Sequence, residues 1–295
     1  MTRTTSFVLP LLVYCVWQFA DAATRVETTN EELKQFFIDL YNTDTSGVWD
    51  HVTISLQGRT SFQEVRDLAP KPLFATADKN ALLAHPPVKK LVALFNNYER
   101  DATKGEVEST TEVQEIDDFL TAVLDTSIMT KAHEFLAKKG YAPQRKAAFK
   151  TQLKDLWFKM YPRTPRSRAL GSSGFEHVFL GEVKNGEVSG FHNWLYFLFQ
   201  EKAGVIDYMG YSKQIHLDEA SIVKNKFKWG GVTKTLGSMF VGTSPEYEMA
   251  VYTVCFYVRP DGACKVDTGR TSFQVITHPY TYRGSKHIGS AYPKI

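Results

Sequence analysis

The sequence predicts an α+β fold, in which a helical N-terminal part packs on a C-terminal antiparallel β-sheet that carries the functional residues. Apolar residues recur at helical spacing through the first half of the 295-residue chain, whereas short alternating runs separated by turn signals follow. The chain is 43% hydrophobic, which allows a substantial core in one large domain or two lobes. A formal net charge of +3 is compatible with a polyanionic partner but does not by itself indicate one.

The first residues have the pattern of a secretory signal peptide. Arg3 precedes an apolar run, and Ala20-Asp21-Ala22 offers a small-x-small cleavage pattern. The apolar run is shorter than the ~20 residues that a spanning helix needs, which argues against an uncleaved membrane anchor. We therefore expect residues 1–22 to be removed and the protein to be secreted or to stay in the secretory-pathway lumen, with no membrane association.

The mature chain, residues 23–295, is predicted to be a single domain, with a mainly helical lobe (23–165) and a mainly β catalytic lobe (166–295). In the first lobe, a helix is expected to start near residues 28–31 and to run to Tyr41. Further helices are predicted at 91–98, 112–124, 132–139 and 147–161. Gly140 and Pro162 supply the stop signals of the last two.

The composition changes at residues 162–168, a proline-bounded segment that contains Arg163, Arg166 and Arg168. This segment is either a solvated connector or a rim that meets phosphate. Beyond it, strands are predicted at 177–182, 205–211, 222–229, 248–258 and 272–276, and a helix at 191–202.

Two cysteines remain once the signal peptide is excluded, Cys255 and Cys264. They flank a turn signal at 259–262 between two strand-like runs. Facing positions on such a hairpin could form a disulfide in an oxidising compartment, or both residues could be buried thiols. The sequence leaves both alternatives open.

Two histidines, His177 and His192, lie fifteen positions apart in one short stretch. The unperturbed pKa of histidine is nearest to neutrality, so a pair can hold opposite protonation states at working pH. Two imidazoles are therefore sufficient to take a proton from a nucleophile and to give one to a leaving group.

The segments SSGFEHVF (172–179) and SGFHNW (189–194) resemble the EndoU family of poly(U)-specific and XendoU-type endoribonucleases. Further matching motifs are SPEYE (244–248) and IGSAYP (288–293). The resemblance runs from about residue 28 to the C-terminus. It implies an enzyme that cleaves single-stranded RNA at uridylates by 2′-hydroxyl transesterification, leaving 2′,3′-cyclic phosphate and 5′-hydroxyl ends.

By this resemblance, His177, His192 and Lys234 match the catalytic residues of the family. Cleaving RNA with its own 2′-hydroxyl needs a base, an acid and a cation near the phosphorus, where negative charge develops. We favour His192 as the base and His177 as the acid, a direction that the sequence does not fix. Lys234 would stabilise the transition state.

The resemblance assigns uridine recognition to Ser290 and Tyr292, and it implies that Ser238 is a second serine facing the base. The hydroxyl can bond the pyrimidine edge, and the phenol ring can stack on ribose or base. Reading that edge requires an unpaired base, so the expected partner is single-stranded, U-containing RNA.

The resemblance also implies supporting roles for Glu176 and Glu182, which flank His177. In the predicted strand Glu176 faces away from His177, so it cannot orient that imidazole from the same face. Mn²⁺ is implied as an assisting ion, with Ca²⁺ able to replace it in some members. Because the sequence has no dense cluster of ligands, we expect the metal to assist RNA binding or folding, at an unknown site.

The alternative function is a secreted RNA-binding or protein-interaction module with weak or no catalysis. Such a module would be expected to lose one of the two histidines or Lys234, and all three are present. A protease is not supported, because the sequence has neither a Gly-x-Ser-x-Gly elbow nor a His-Glu-x-x-His motif. We expect a monomer.

Overall fold

The computed structural model describes residues 25–163 and 167–295. The predicted signal peptide and the predicted lobe boundary at 165/166 lie outside these residues. Helices and antiparallel sheets are combined as predicted, so the α+β class is confirmed. Within the described ranges, no helix is both long and apolar enough to cross a bilayer.

The N-terminal half is mainly helical. Its elements are α1 (Asn30–Tyr41), β1 (Val52–Ile54), β2 (Phe74–Ala77), α2 (Lys79–Ala84), α3 (Pro86–Ala93), α4 (Thr110–Leu124), α5 (Ser127–Lys138) and α6 (Lys146–Phe158). Short 3₁₀ turns occupy Val48–His51 and Leu94–Asn96. The predicted helix at 91–98 is therefore the end of α3 followed by a 3₁₀ turn.

Two of these helices begin with a capping box, which explains where they start. In α1, the Thr29 hydroxyl accepts the Glu32 amide while the Glu32 carboxylate accepts the Thr29 amide. Ser109 and Glu112 do the same for α4. Each cap satisfies amide groups that would otherwise lack partners, and a good N-cap contributes about 1 kcal/mol.

The C-terminal half contains the main sheets. Its elements are β3 (Glu182–Lys184), β4 (Glu187–Ser189), α7 (Trp194–Lys202), β5 (Ile206–His216), β6 (Ser221–Trp229), β7 (Val232–Val241), α8 (Pro245–Val258), β8 (Ala263–Asp267), β9 (Ser272–Tyr282) and β10 (Ser285–Lys294). One antiparallel sheet has the order β5-β6-β7, and a second has the order β10-β9-β8. Strands β3 and β4 form a separate hairpin.

The predicted strand at 177–182 is wrong, because this segment is a turn of π-helix over Glu176–Leu180. A capping box starts it: the Ser173 hydroxyl accepts the Glu176 amide, and the Glu176 carboxylate accepts the Ser173 amide. All five residues of the turn are buried. Polar and apolar residues alternate in this segment, but both kinds are buried, so the alternation does not mark the two faces of a strand.

The predicted strand at 248–258 is also wrong, because these residues belong to α8. Ser244 caps this helix by accepting the Tyr247 amide, and Pro245 occupies its first position. Nearly every residue of α8 is buried, so it shows no polar face from which a helical period could be read. The local signal that indicates a helix here is the pair Ser244-Pro245, an N-cap residue followed by proline at the first helical position.

Cys255 and Cys264 form a disulfide, with their Cα atoms 5.5 Å apart. The bond does not join two strands of a hairpin as the sequence suggested. It links the last turn of α8 to β8.

One continuous hydrophobic core contains residues from both halves of the chain. The buried helix α8 lies near its centre, where it packs against α5 and α3 of the N-terminal half and against β9 of the C-terminal sheet. Helix α6 packs on β10, which carries part of the candidate site. The helical half therefore supports the sheets on which the site is built.

Candidate active site

The two histidine segments are held together by backbone hydrogen bonds. The β3–β4 hairpin turns at Asn185-Gly186 and returns the chain, so that the His177 carbonyl accepts the Phe191 amide at 2.9 Å. Gly190 lies at this close approach with φ of +65°, and a Cβ there would be 1.8 Å from the His177 carbonyl oxygen. Only glycine fits this position, which brings both imidazoles to one place.

His177 is oriented by a buried carboxylate. Its Nδ1 lies 2.9 Å from Glu182 Oε2, while Glu182 also accepts the Ser172 hydroxyl and lies 3.3 Å from Arg163 Nε. This leaves Nε2 of His177 as the nitrogen available to a substrate. Burial lowers the pKa of His177, and the positive charges of Arg163 and Lys234 add to this, whereas Glu182 opposes it.

Glu182 itself stays ionised. Burial alone would raise its pKa, but the neighbouring His177 and Arg163 and the Ser172 hydroxyl together hold the pKa of this carboxyl below its usual value. An anion is therefore fixed against the imidazole ring of His177.

His192 is oriented by a neutral partner. Its Nδ1 lies 2.7 Å from the carbonyl oxygen of Ser238. A carbonyl can only accept, so Nδ1 carries the proton and Nε2 keeps a free lone pair. Burial lowers the pKa of His192 well below its usual value, with a further contribution from Lys234. The ring of Tyr292 stacks on the imidazole, with centroids 5.2 Å apart.

Lys234 lies on β7 beside these rings. Its Nζ donates to the Val188 carbonyl of β4 at 3.1 Å. An ammonium group has three donors, so two remain for a ligand. Burial lowers the pKa of Lys234 to about 8, which still leaves it mostly charged at neutral pH.

These groups share a cleft of about 440 Å³. It is lined by all six residues that the sequence assigned to catalysis or uridine binding: His177, His192, Lys234, Ser238, Ser290 and Tyr292. The two supporting carboxylates, Glu176 and Glu182, do not line the cleft. Glu182 contacts the site through His177, whereas Glu176 bonds the Ser173 amide and starts the π-helical turn.

The pKa of Glu176 is raised well above its usual value by burial, with contributions from the nearby Glu106 and Glu182. Its side chain makes its hydrogen bond to Ser173 and not to His177. The sequence-based statement that Glu176 does not orient the imidazole therefore agrees with the structure, although the strand on which it rested is wrong.

The serines of the cleft differ in what their hydroxyls contact. Ser238 donates its hydroxyl proton to the Pro293 carbonyl at 2.5 Å, so its oxygen is left as an acceptor. Ser290 follows a register shift in β10 at Gly289 and is partly exposed. The Gly289 carbonyl accepts Arg163 Nη1 at 2.6 Å.

The sequence predicts that Arg163 lies in a solvated connector or in a rim that meets phosphate. The structure shows neither, because the side chain of Arg163 is turned into the protein. Its side chain is 12% exposed and donates to Ser172 and to Gly289, which ties the Glu182 carboxylate to the strand of Ser290. Arg166 lies outside the described residues, and Arg168 is exposed. No local pattern predicts this role, because Gly289 is more than one hundred residues away in the sequence.

The resemblance implies Mn²⁺, but the described residues contain no set of ligands that matches this ion. Within these ranges, no three His, Cys, Asp or Glu side chains converge to hold an ion. The two carboxylates nearest the histidines are already bonded, Glu182 to His177 and Glu176 to Ser173. The residues present therefore do not fit a resident Mn²⁺, and the chemistry below uses side chains alone.

The sequence matches the family described as endoribonuclease XendoU over residues 32–293. Uridylate-specific endoribonuclease D of Xenopus laevis is 38% identical over 280 residues, which cover 92% of this chain and 91% of that protein. Poly(U)-specific endoribonuclease-A of Xenopus laevis is 36% identical over 278 residues, covering 90% and 94%. The solved structure of XendoU, a splicing-independent snoRNA-processing endoribonuclease, superposes with a TM-score of 0.75 at 35% identity and covers 90% of this chain and 97% of that one. The chain belongs to the XendoU endoribonuclease family.

Proposed function

We propose that this protein is an endoribonuclease that cleaves single-stranded RNA at uridylates, leaving 2′,3′-cyclic phosphate and 5′-hydroxyl ends. The observation that carries the proposal is the cleft in which His177, His192 and Lys234 meet, with both imidazoles held at Nδ1. Membership of the XendoU family and the names of its uridylate-specific and poly(U)-specific relatives support the same reaction.

In the proposed reaction His192 is the base. Its pKa is well below the usual value, so Nε2 is unprotonated at neutral pH and can accept the 2′-hydroxyl proton. The 2′-oxygen then forms a bond to phosphorus, and the bond from phosphorus to the 5′-oxygen breaks.

His177 is the acid in this proposal. The Glu182 carboxylate stabilises its imidazolium form, and the Nε2 proton passes to the departing 5′-oxygen. Lys234 places an ammonium group beside both rings, where it stabilises the negative charge that develops on the phosphoryl oxygens.

Ser238 provides a physical basis for choosing uracil. Because its hydroxyl proton is donated to Pro293, its oxygen can only accept from a ligand. Uracil carries a proton on N3, whereas neutral cytosine has a lone pair there and would be repelled. Ser290 and Tyr292 line the same cleft and complete the pyrimidine site in this proposal.

The experiment uses a short RNA with one uridine and the same RNA with 2′-deoxyuridine at that position. Cleavage of the first alone, with one product ending in a cyclic phosphate by mass, supports the proposal. Salt-sensitive binding of both RNAs without cleavage would instead support a recognition module.

For Mn²⁺, we propose an action on the RNA or on its binding rather than on the nucleophile. The proposal rests on the two carboxylates nearest the histidines, which are already bonded within the protein, Glu182 to His177 and Glu176 to the Ser173 amide. At saturating RNA, single-turnover cleavage is expected to continue in EDTA, while cleavage at low RNA falls. A strict requirement for metal at saturation would contradict this proposal.

We also propose that the protein acts in the secretory pathway or outside the cell. The Cys255–Cys264 disulfide supports this, because such bonds persist in oxidising compartments. Expression in secretory cells should release protein into the medium with residue 23 at its N-terminus. Retention of the full-length chain in the cytosol would contradict it.

A further inference from the structure

One aromatic side chain at the rim of the cleft has no role in the reaction above. Phe62 lies on the loop between β1 and β2, is 63% exposed, and lines the cleft together with the histidines. Among the described residues, it is the only aromatic in the set of exposed large hydrophobic side chains. A single exposed apolar side chain is ordinary on a protein surface, but this ring lies at the rim of the cleft and is available to stack on a base.

The loop that carries Phe62 is fixed to the sheet. The Thr60 amide donates to the Tyr211 carbonyl at 2.7 Å. Lys226 is only 2% exposed, and its ammonium group donates to the backbone carbonyls of Phe62, at 3.4 Å, and of Glu64. Burying an ammonium group is unfavourable unless it is bonded, so this lysine is committed to holding the backbone at Phe62. The backbone that carries the ring is therefore held in a fixed place at the rim of the cleft.

The charge around this ring suits a polyanion. Lys224, Lys234 and Lys294 line the cleft, and the described lining residues include no aspartate or glutamate. Basic grooves combined with exposed aromatic rings are the usual means of binding single-stranded nucleic acid, because the lysines follow the phosphates while bases stack on the rings.

We propose that Phe62 forms a second nucleotide subsite, in which its ring stacks on the unpaired base adjacent to the scissile uridine. The proposal rests on the proposed function and extends it to a neighbouring nucleotide. Stacking needs only a π-face, so this subsite accepts any base and favours purines, whose rings are larger. Phe62 then contributes to RNA binding and not to the bond-breaking step.

The test compares Phe62→Ala, Phe62→Trp and Val65→Ala on RNAs with one uridine. Val65 is the matched control, because it is 86% exposed on the same loop but does not line the cleft. Phe62→Ala is expected to raise KM about tenfold with kcat unchanged, whereas Phe62→Trp and Val65→Ala behave as wild type. Two further RNAs lack the base on the 5′ or the 3′ side of the uridine.

On the RNA that lacks the stacked base, wild type and Phe62→Ala should become equal. An unchanged KM in Phe62→Ala, or a loss that persists equally on both abasic RNAs, would overturn the proposal. Fluorescence anisotropy with the uncleavable 2′-deoxyuridine RNA gives the same comparison without catalysis. A tenfold weaker Kd for Phe62→Ala in that assay supports the subsite even where cleavage fails, and equal Kd values refute it.

Discussion

At the residue scale, the chemistry of each histidine depends on the partner of its Nδ1 atom. A carbonyl oxygen holds His192, and a carboxylate holds His177. The carbonyl fixes a neutral tautomer, whereas the carboxylate stabilises a positive ring. Burial lowers the pKa of both rings, but Glu182 opposes this at His177, whereas the pKa of His192 falls well below its usual value. His177 is therefore the more readily protonated of the two, which suits it to act as the acid and His192 as the base.

Replacing Glu182 with Gln tests the positioning of His177. The carboxylate opposes the effect of burial on the pKa of His177, so its removal lowers that pKa further. An acid must be protonated to act, and the alkaline limb of the pH profile of kcat should therefore move to lower pH. We expect kcat at neutral pH to fall roughly tenfold or more, with KM little changed.

The control is Glu31→Gln, which removes an exposed carboxylate in α1 that does not line the cleft. Rescue of kcat in the Glu182 variant at acidic pH, but not at alkaline pH, distinguishes a change in the acid from a loss of structure. An unshifted alkaline limb would contradict the role of Glu182.

At the element scale, two capping boxes of the same chemistry serve different purposes. Ser109 starts helix α4, which does not line the cleft, and Ser173 starts the π-helical turn that carries His177. Ser109→Ala should lower the free energy of unfolding by about 1 kcal/mol and leave kcat/KM unchanged. Ser173→Ala should lower both quantities, because the turn that positions the imidazole loses its start. Equal kcat/KM in the two variants, measured beside chemical denaturation, would contradict this account.

Helix α8 carries a buried carboxyl that makes the fold sensitive to pH. Burial raises the pKa of Glu248 to about 8, although Asn193 and Thr243 donate to it. The unfolded carboxyl titrates near 4.5, so between that pH and 8 the folded state binds more protons than the unfolded state. Stability therefore falls as pH rises through this window, by roughly 2–4 kcal/mol from this group.

Glu248→Gln removes this titration and can keep both hydrogen bonds, because Thr243 can accept as well as donate. The free energy of unfolding of the variant should depend less on pH between 5 and 8, and it should exceed that of wild type at pH 8. Denaturant titrations at several pH values measure this. Parallel pH curves for the two proteins would show that Glu248 does not titrate in this range.

The two wrongly predicted strands have one physical cause. Periodicity identifies an element only when one face is polar, and both α8 and the π-helical turn are buried on nearly all sides. Amphipathic helices such as α1, with Leu33, Phe37 and Leu40 on one stripe, were predictable from the same reasoning. The missed helices did carry local start signals, at Ser173 and at Ser244.

At the scale of the whole molecule, the disulfide ties the buried helix α8 to the sheet that ends in the cleft. Its loop is short, with a sequence separation of nine, so its loss should cost about 2–3 kcal/mol of unfolding free energy. Because neither cysteine lines the cleft, the double variant Cys255→Ala/Cys264→Ala should retain kcat/KM at low temperature. Thermal unfolding with and without reductant measures the effect. A Tm that does not change with reductant would contradict it.

The site itself was predictable only in part. The motifs identified His177, His192 and Lys234 through their resemblance to a family, and the structure brings them into one cleft. The residues that set their chemistry, such as Arg163 and the carbonyl of Ser238, act through tertiary contacts that no local pattern records. The sequence therefore predicts the residues of the proposed site, and tertiary contacts set the pKa of each one.

The measurement that tests the central claim most directly uses two one-uridine RNAs. One has the natural 5′-oxygen leaving group, and the other has sulfur at that bridging position, which leaves without a proton. His177→Ala should lose roughly 10²–10⁴-fold on the oxygen RNA and recover on the sulfur RNA, whereas His192→Ala should be slow on both. Wild-type rates in both variants on the oxygen RNA would contradict catalysis by these two histidines. Recovery of His192→Ala instead of His177→Ala would reverse their roles.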